Sequence, residues 1–87
     1  MNLNAEFKRD WKRQEKRGKD MAKATAVIEA LQHHRPLEAR HRDHALSGPW
    51  KGWRDCHVEA DWVLIYKKEG GELRLARLGT HSDLFGK

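Results

Sequence analysis

The second half of the chain constrains the fold most, because it contains three strand-like runs joined by very short turns. The first run covers residues 53–59, and the reversal Ala60-Asp61 follows it directly. The second, residues 62–68, is aromatic and β-branched, and the turn Glu69-Gly70-Gly71-Glu72 separates it from the third, residues 73–78. Short glycine-rich connections join antiparallel neighbours. Aromatic and β-branched residues suit a strand deep in a sheet. The pattern therefore predicts three successive antiparallel strands.

The first third of the chain predicts two helices instead. Leu3, Phe7 and Trp11 recur at four-residue spacing among basic residues, which is typical of an amphipathic helix, and Arg17-Gly18 is the predicted end of that helix. Asp20 is then a suitable N-cap for a second helix, and Pro36 stops it. Apolar residues at spacings of three and four mark one face of this second helix: Met21, Ala24, Val27, Ile28 and Leu31.

The order of these elements predicts a single α+β domain over residues 1–87. An N-terminal helical hairpin is expected to cover one face of a small antiparallel sheet. Residues 37–51, with Ser47-Gly48-Pro49, are predicted to form a loop. Since 38% of the residues are hydrophobic, the core is expected to be small.

Charge and cysteine content narrow the possible partners and compartments. The net charge is +5, and the excess of basic residues lies within residues 1–42. A positive field attracts polyanions such as nucleic acid, although a solvated helix surface has the same composition. Cys56 is the only cysteine, which fits a reducing cytoplasm, and it is expected in the core. The sequence contains no apolar run of membrane-span length and no signal-peptide stretch, so no membrane segment is expected.

Three histidines lie at or beside the predicted strands: His44, His57 and His81. Histidine is the side chain that naturally titrates near neutral pH, so three of them around one sheet indicate possible acid–base chemistry. The other three, at positions 33, 34 and 41, surround the end of the second helix and are interpreted as surface residues.

Carboxylates, an arginine and an aromatic residue accompany these histidines. Asp55 and His57 are two residues apart and share a sheet face, and Asp61 follows the next turn; the alternative roles are an ion pair and a turn residue. Arg77 lies in a buried-looking strand and needs a partner, which is either a carboxylate or an RNA phosphate. Phe85 either anchors the C-terminal tail or stacks on a base.

Other chemistries fit the sequence less well. It has no glycine-rich phosphate loop after a strand, no helical histidine pair of a metalloprotease, and no nucleophile elbow of a serine hydrolase. A closed zinc site would need more cysteine. We therefore expect neither a metal nor a cofactor.

The chain closely resembles the YafQ-type toxins of bacterial type II toxin–antitoxin systems, which belong to the RelE/ParE superfamily. The resemblance covers about residues 7–87 and is strongest from Asp43 onward. It is carried by His44-x-Leu46-x-Gly48-x-Trp50-Lys51-Gly52-x-Arg54-Asp55-x-His57-Val58-Glu59-x-Asp61-Trp62-Val63-Leu64-Ile65-Tyr66 and by Gly79-Thr80-His81-Ser82-Asp83-Leu84-Phe85.

The resemblance implies a RelE-like fold and a ribosome-dependent endoribonuclease that cleaves translated mRNA in the A site, usually at adenine-rich lysine-type codons. It also implies an antitoxin partner and a toxin–antitoxin hetero-oligomer. The family's active-site positions correspond to residues that all carry the family residue type: His44, Asp55, His57, Asp61, Arg77, His81 and Phe85.

Within this expected mechanism His81 is the general acid and Arg77 stabilises the phosphate charge. The general base is His57 or Asp61, and the sequence does not choose between them. Family members usually begin with an edge strand, which is expected here to be shortened or lost because only residues 1–4 precede the first helix. Two other functions stay open: a ParE-like toxin that acts on DNA gyrase without cutting RNA, and a non-catalytic RNA-binding or antitoxin-titrating protein.

Overall fold

The computed structural model describes residues 1–86, which fold as helices packed on a five-stranded sheet. The elements in chain order are β1 (Asn2–Leu3), α1 (Ala5–Lys16), α2 (Met21–Gln32), β2 (His44–Ala45), β3 (Arg54–Glu59), β4 (Trp62–Glu69), β5 (Glu72–Gly79) and α3 (His81–Phe85). Single 3-10 turns cover Ala39–His41 and Gly48–Trp50. Among the helices of residues 1–86, none combines the length and apolar character that a membrane span requires.

The strand order is β1-β5-β4-β3-β2. The three hairpin-linked strands β3, β4 and β5 are antiparallel as predicted, and β2 extends the sheet antiparallel to β3. The edge strand β1 is present but short, and it pairs parallel to β5 at Arg74 and Leu75. The predicted α+β architecture with a helical hairpin is confirmed, and the sheet as a whole is mixed.

The turn between the helices and the start of α2 lie where their local signals predicted, but Leu3 pairs with Leu75 as part of β1, and α2 ends at Gln32 before Pro36 is reached. The Asp20 side chain accepts a hydrogen bond from the backbone N–H of Ala22 and caps α2. Gly18, between the helices, has a φ of 79°, a left-handed conformation that favours glycine. The hairpin connection is therefore set by residue chemistry at the turn itself.

Both faces of the sheet carry apolar clusters. Under α1 and α2, alternate residues of β4 pack with Phe7 and the apolar face of α2, and Cys56 is buried in this core as expected. Burial raises the pKa of the Cys56 thiol, which disfavours the reactive thiolate. On the opposite face Val63, Ile65 and Ala76 pack beneath α3 and its Leu84.

The segment predicted as a loop contains more structure than expected. Within residues 37–51 lie β2 and both 3-10 turns. His41 was interpreted as a surface residue, and this is wrong: it is 8% exposed. Its ring packs against β3, where Nδ1 donates a hydrogen bond to the carbonyl of His57 at 2.6 Å. A long-range contact therefore decides the burial of His41.

Candidate active site

Strand register places several of the predicted site residues on one face of the sheet. His44 on β2 lies opposite Asp55 on β3, Asp55 lies opposite Ile65 on β4, and Ile65 lies opposite Arg77 on β5. Directly opposed residues point to the same side of a sheet. His57, two residues after Asp55, shares this face.

The helix α3 brings His81 to the same face. Thr80 and Asp83 form a capping box in which each side chain accepts a hydrogen bond from the other residue's backbone N–H. Gly79 permits the tight approach of strand and helix, since a Cβ there would lie 2.9 Å from the Cβ of Asp83. His81, the first residue of α3, is thus fixed at the strand end.

Asp61, in the turn between β3 and β4, binds His81 twice. One carboxylate oxygen accepts hydrogen bonds from the His81 backbone N–H at 3.0 Å and from ring Nδ1 at 2.6 Å. These two bonds lower the pKa of Asp61, the backbone bond having the larger effect. Asp61 is therefore a weakly basic carboxylate that orients the imidazole of His81.

The rings of β3 and α3 form one group. The centroids of His57 and His81 are 5.2 Å apart, and those of His81 and Phe85 are 6.1 Å apart. Phe85 also packs on the apolar cluster under α3, so it anchors the tail as well as lying beside the histidine. We call the six residues joined on this face the histidine cluster: His44, Asp55, His57, Asp61, His81 and Phe85.

All three histidines of the cluster are held through the same ring nitrogen. Nδ1 of His44 is 2.7 Å from the carbonyl oxygen of Arg42, and Nδ1 of His57 is 3.2 Å from that of Ala60. A carbonyl only accepts, so Nδ1 carries the proton in both rings. Within residues 1–86 no group hydrogen-bonds Nε2 of any of the three, including His81. Each ring thus presents its second nitrogen to a substrate.

Asp55 is the buried carboxylate of the cluster, at 3% exposure. Burial raises its pKa, and the positive charges of His44, His57 and His81 act against that shift. Nδ1 of His44 lies 3.0 Å from Oδ1 of Asp55 but is aligned with the Arg42 carbonyl instead, so within residues 1–86 this oxygen has no hydrogen-bond partner. Asp55 therefore acts on His44 through its charge and not through a hydrogen bond.

Arg77 shares the sheet face, and its guanidinium is held by a carboxylate of α1. Its guanidinium binds the Asp10 carboxylate, with Nε at 2.7 Å and Nη2 at 3.2 Å. The hydrogen bond to Asp10 is the main reason that the pKa of Arg77 is raised. Of the two partners open from the sequence, the structure shows the carboxylate. Sequence reasoning missed Asp10, although its position three residues after Phe7 places it on the buried side of α1.

The histidine cluster lies on an open part of the surface. The side chains of His44, His81 and Asp61 are 55%, 43% and 67% exposed. A groove of about 740 Å³ between α2 and residues 36–42 reaches His57 but no other member of the cluster. Among residues 1–86, no three histidine, cysteine or acidic side chains converge as metal ligands would. This geometry suits a large substrate laid across the surface.

Comparison with known proteins identifies the family. The model of the family described as "Bacterial toxin of type II toxin-antitoxin system, YafQ" matches residues 1–86. The chain belongs to the YafQ toxin family. The family predicted from the sequence motifs is thereby confirmed.

Individual YafQ proteins are similar over nearly their whole length. The mRNA interferase toxin YafQ of Escherichia coli K12 is 46% identical over 87 residues, which are 99% of this chain and 95% of that protein. The crystal structure of YafQ from E. coli BL21(DE3) superposes with a TM-score of 0.94 at 44% identity, covering 98% of this chain and 96% of that one. YafQ in the E. coli DinJ–YafQ complex gives 0.90 at 45% identity, with the same coverage. The similarity to YafQ thus extends over nearly the whole chain.

Proposed function

We propose that this chain is the toxin of a type II toxin–antitoxin system and an endoribonuclease that cleaves mRNA on the ribosome. Family membership supports the class, because the similar E. coli protein is named an mRNA interferase toxin. The observation that carries the chemistry is the shared geometry of His57 and His81. Their rings are 5.2 Å apart, each is held through Nδ1, and no group of residues 1–86 hydrogen-bonds Nε2 of either ring.

Two such imidazoles are sufficient for the proton transfers of RNA cleavage. Nε2 of His57 takes the proton of the ribose 2′-hydroxyl, whose oxygen attacks the adjacent phosphorus. The P–O5′ bond breaks as His81 donates a proton from Nε2 to the leaving 5′-oxygen. The products are a 2′,3′-cyclic phosphate and a 5′-hydroxyl end. General base and general acid each contribute about 10²- to 10⁴-fold.

The hydrogen bonds favour His57 over Asp61 as the base. One Asp61 oxygen already accepts two bonds from His81, and these bonds lower the pKa of the carboxyl. A less basic group is a poorer proton acceptor near neutral pH. Asp61 instead supplies negative charge at Nδ1 of His81, an arrangement that stabilises an imidazolium.

Arg77 and the remaining members of the histidine cluster position the substrate. Arg77 stabilises charge on the phosphate, and His44 contacts the phosphate or assists proton transfer. Asp55 lies behind His44, with Oδ1 3.0 Å from Nδ1 of that ring, and supplies negative charge there. Phe85, beside His81, stacks on a base.

The openness of the cluster supports a ribosome-bound substrate. A surface without an enclosing pocket has little means of holding RNA in line for attack, and the ribosome supplies that orientation. Lys12, Arg13 and Lys16 form an exposed basic face of α1 suited to ribosomal RNA phosphates. The location is then cytoplasmic, and the second partner is a cognate antitoxin that forms a hetero-oligomer with the toxin, as DinJ does with YafQ in E. coli.

The test compares His81→Ala with His33→Ala, a substitution of an exposed histidine at the end of α2. Primer extension on a translated message should show codon-specific cuts for the wild type and for His33→Ala. His81→Ala should cut at least about 10²-fold more slowly while retaining the wild-type Tm. His57→Ala should slow cleavage by a similar factor, as loss of a general base does.

Full cleavage by His81→Ala would overturn the assignment of the acid. DNA damage without mRNA cuts by the wild type would favour action on gyrase. If the wild type caused neither mRNA cuts nor DNA damage, the non-catalytic alternative would remain.

A further inference from the structure

The first helix buries two polar side chains against β5. Of the three residues that α1 buries, only Phe7 is apolar, and Asp10 and Gln14 are 2% and 0% exposed. They lie one helical turn apart, on the side of the helix that faces the sheet. Buried polar groups need hydrogen-bond partners, and a buried carboxylate needs several.

Both side chains bind the outer edge of β5 beyond the end of β1. Gln14 donates to the carbonyl of Leu78 at 3.3 Å, and Asp10 accepts from the backbone N–H of Leu78 at 3.0 Å. The strand β1 pairs only with Arg74 and Leu75, so these side chains satisfy backbone groups that the short edge strand leaves unpaired. Only Asp10 also binds the guanidinium of Arg77.

We propose that Asp10 is the positioning residue for Arg77, and that it presents Nη1 to the scissile phosphate. The inference rests on the proposed nuclease function. Asp10 binds Nε through Oδ2 and Nη2 through Oδ1, which fixes the plane of the guanidinium and its rotation. Nη1 is the nitrogen that Asp10 leaves free.

The surroundings of Nη1 are consistent with that role. The carboxylate of Glu6 lies 3.8 Å from Nη1, which exceeds hydrogen-bond distance. Glu6 is 60% exposed and can turn into solvent, whereas the Arg77 side chain is 18% exposed and held by its buried partner. A phosphate oxygen can therefore replace Glu6 at Nη1 without breaking the pair with Asp10.

A guanidinium that is paired with a carboxylate acts on the phosphate chiefly through the fixed orientation of its N–H groups. Because the Asp10 charge offsets that of Arg77 at long range, the pair adds little to the attraction of RNA. At contact, a preorganised N–H aimed at developing charge stabilises the transition state. Loss of Asp10 should consequently lower kcat without raising KM, because the uncovered charge of Arg77 can only favour RNA binding.

The experiment is a double-mutant cycle on single-turnover cleavage of ribosome-bound mRNA, with Asp10→Asn, Arg77→Gln and the double variant. We expect Asp10→Asn to slow cleavage by about 10- to 100-fold. In the Arg77→Gln background the same change should have no further effect. If Asp10 only holds α1 against β5, Asp10→Asn should lower the cleavage rate by the same factor in the wild-type and Arg77→Gln backgrounds. That result would overturn the proposal.

Gln14→Met is the matched control, because Gln14 binds the same strand edge from the same helix but is not hydrogen-bonded to Arg77. It should lower Tm while keeping the cleavage rate of the folded protein. Should Asp10→Asn fail to fold, Asp10→Ser provides a smaller side chain whose hydroxyl oxygen can still accept the Leu78 N–H.

A second measurement does not depend on activity. The ¹⁵N-edited spectrum should show a resolved Arg77 Nε–H signal in the wild type and in Gln14→Met, and this signal should move to the position of free guanidinium groups in Asp10→Asn. An unchanged signal, or an unchanged rate in folded Asp10→Asn, would overturn the positioning role. A wild type that cuts no ribosome-bound mRNA but shows the signal would instead refute the proposed function.

Discussion

The two faces of β4 differ in what covers them and in what they tolerate. Trp62, Leu64 and Tyr66 lie under the helix pair within a core of apolar side chains. The other face buries Val63 and Ile65 beneath the five-residue helix α3, next to ionisable groups on the neighbouring strands. The cover formed by α1 and α2 stabilises the fold, whereas the short helix α3 leaves the histidines accessible. Stability and chemistry are therefore largely assigned to opposite sides of one sheet.

The largest loss of stability should come from a substitution on the face of β4 that α1 and α2 cover. Leu64 is fully buried in the middle of β4, so Leu64→Ala removes buried methyl groups and leaves a cavity. We expect a loss of about 2–5 kcal/mol of unfolding free energy, a large part of what a small domain has. Urea unfolding followed by tryptophan fluorescence measures this loss.

The cleavage rate per folded molecule should not change in Leu64→Ala at a temperature where it remains folded. A rate that falls in parallel with stability would show that the two faces are coupled. Lys68→Ala, an exposed substitution on the same strand, should change neither quantity.

On the opposite face, Asp55→Asn should raise stability and lower the cleavage rate. Because burial raises the pKa of Asp55 in the folded protein, the ionised carboxylate costs stability at neutral pH. Asparagine removes that cost, so Tm should rise at pH 7, and the difference from the wild type should vanish below about pH 4, where the unfolded carboxyl is also protonated. Cleavage should fall by about 10-fold or more, since His44 loses the charge behind it.

Asp43→Asn is the control for this trade-off. Asp43 accepts hydrogen bonds from the Tyr66 hydroxyl and from Arg54, so its carboxylate is well satisfied. Its replacement should lower Tm or leave it unchanged. A lower Tm in Asp55→Asn at pH 7 would contradict a desolvation cost at the active face.

The covered face was predictable from the sequence because its signals are local. The three- and four-residue spacing in α2, the cap at Asp20 and the glycine turn before β5 each act within a few residues, and the structure confirms the elements that they predicted. Helical and strand periodicity also indicated which side chains are buried.

The features that were missed depend on contacts between distant parts of the chain. The strand β2 has two residues and exists through its pairing with β3. His41 is buried because its turn packs on the same strand. Asp10 is polar within a basic helix, where solvent exposure is the usual expectation, and its partner Arg77 is 67 residues away in the sequence. The convergence of the histidines was inferred from motifs, whereas their common use of Nδ1 required three dimensions.

The smallest expected effect concerns the attachment of α3 to the rest of the fold. Arg17, just after α1, binds both carboxylate oxygens of Asp83 in the first turn of α3. This contact is the main reason that the pKa of Asp83 is strongly lowered. Because a lowered folded pKa stabilises the protein above the unfolded value, Arg17→Met should lower Tm near pH 7 by about one to a few degrees, as an exposed pair allows. The difference should shrink progressively below about pH 4, because the carboxyl of Asp83 is protonated first in the unfolded chain and only at still lower pH in the folded protein. Arg13→Met, on an exposed position of α1, should show no such dependence on pH. If instead the Tm difference between Arg17→Met and the wild type grew at low pH, the ion pair between Arg17 and Asp83 would not be what attaches α3 to the fold.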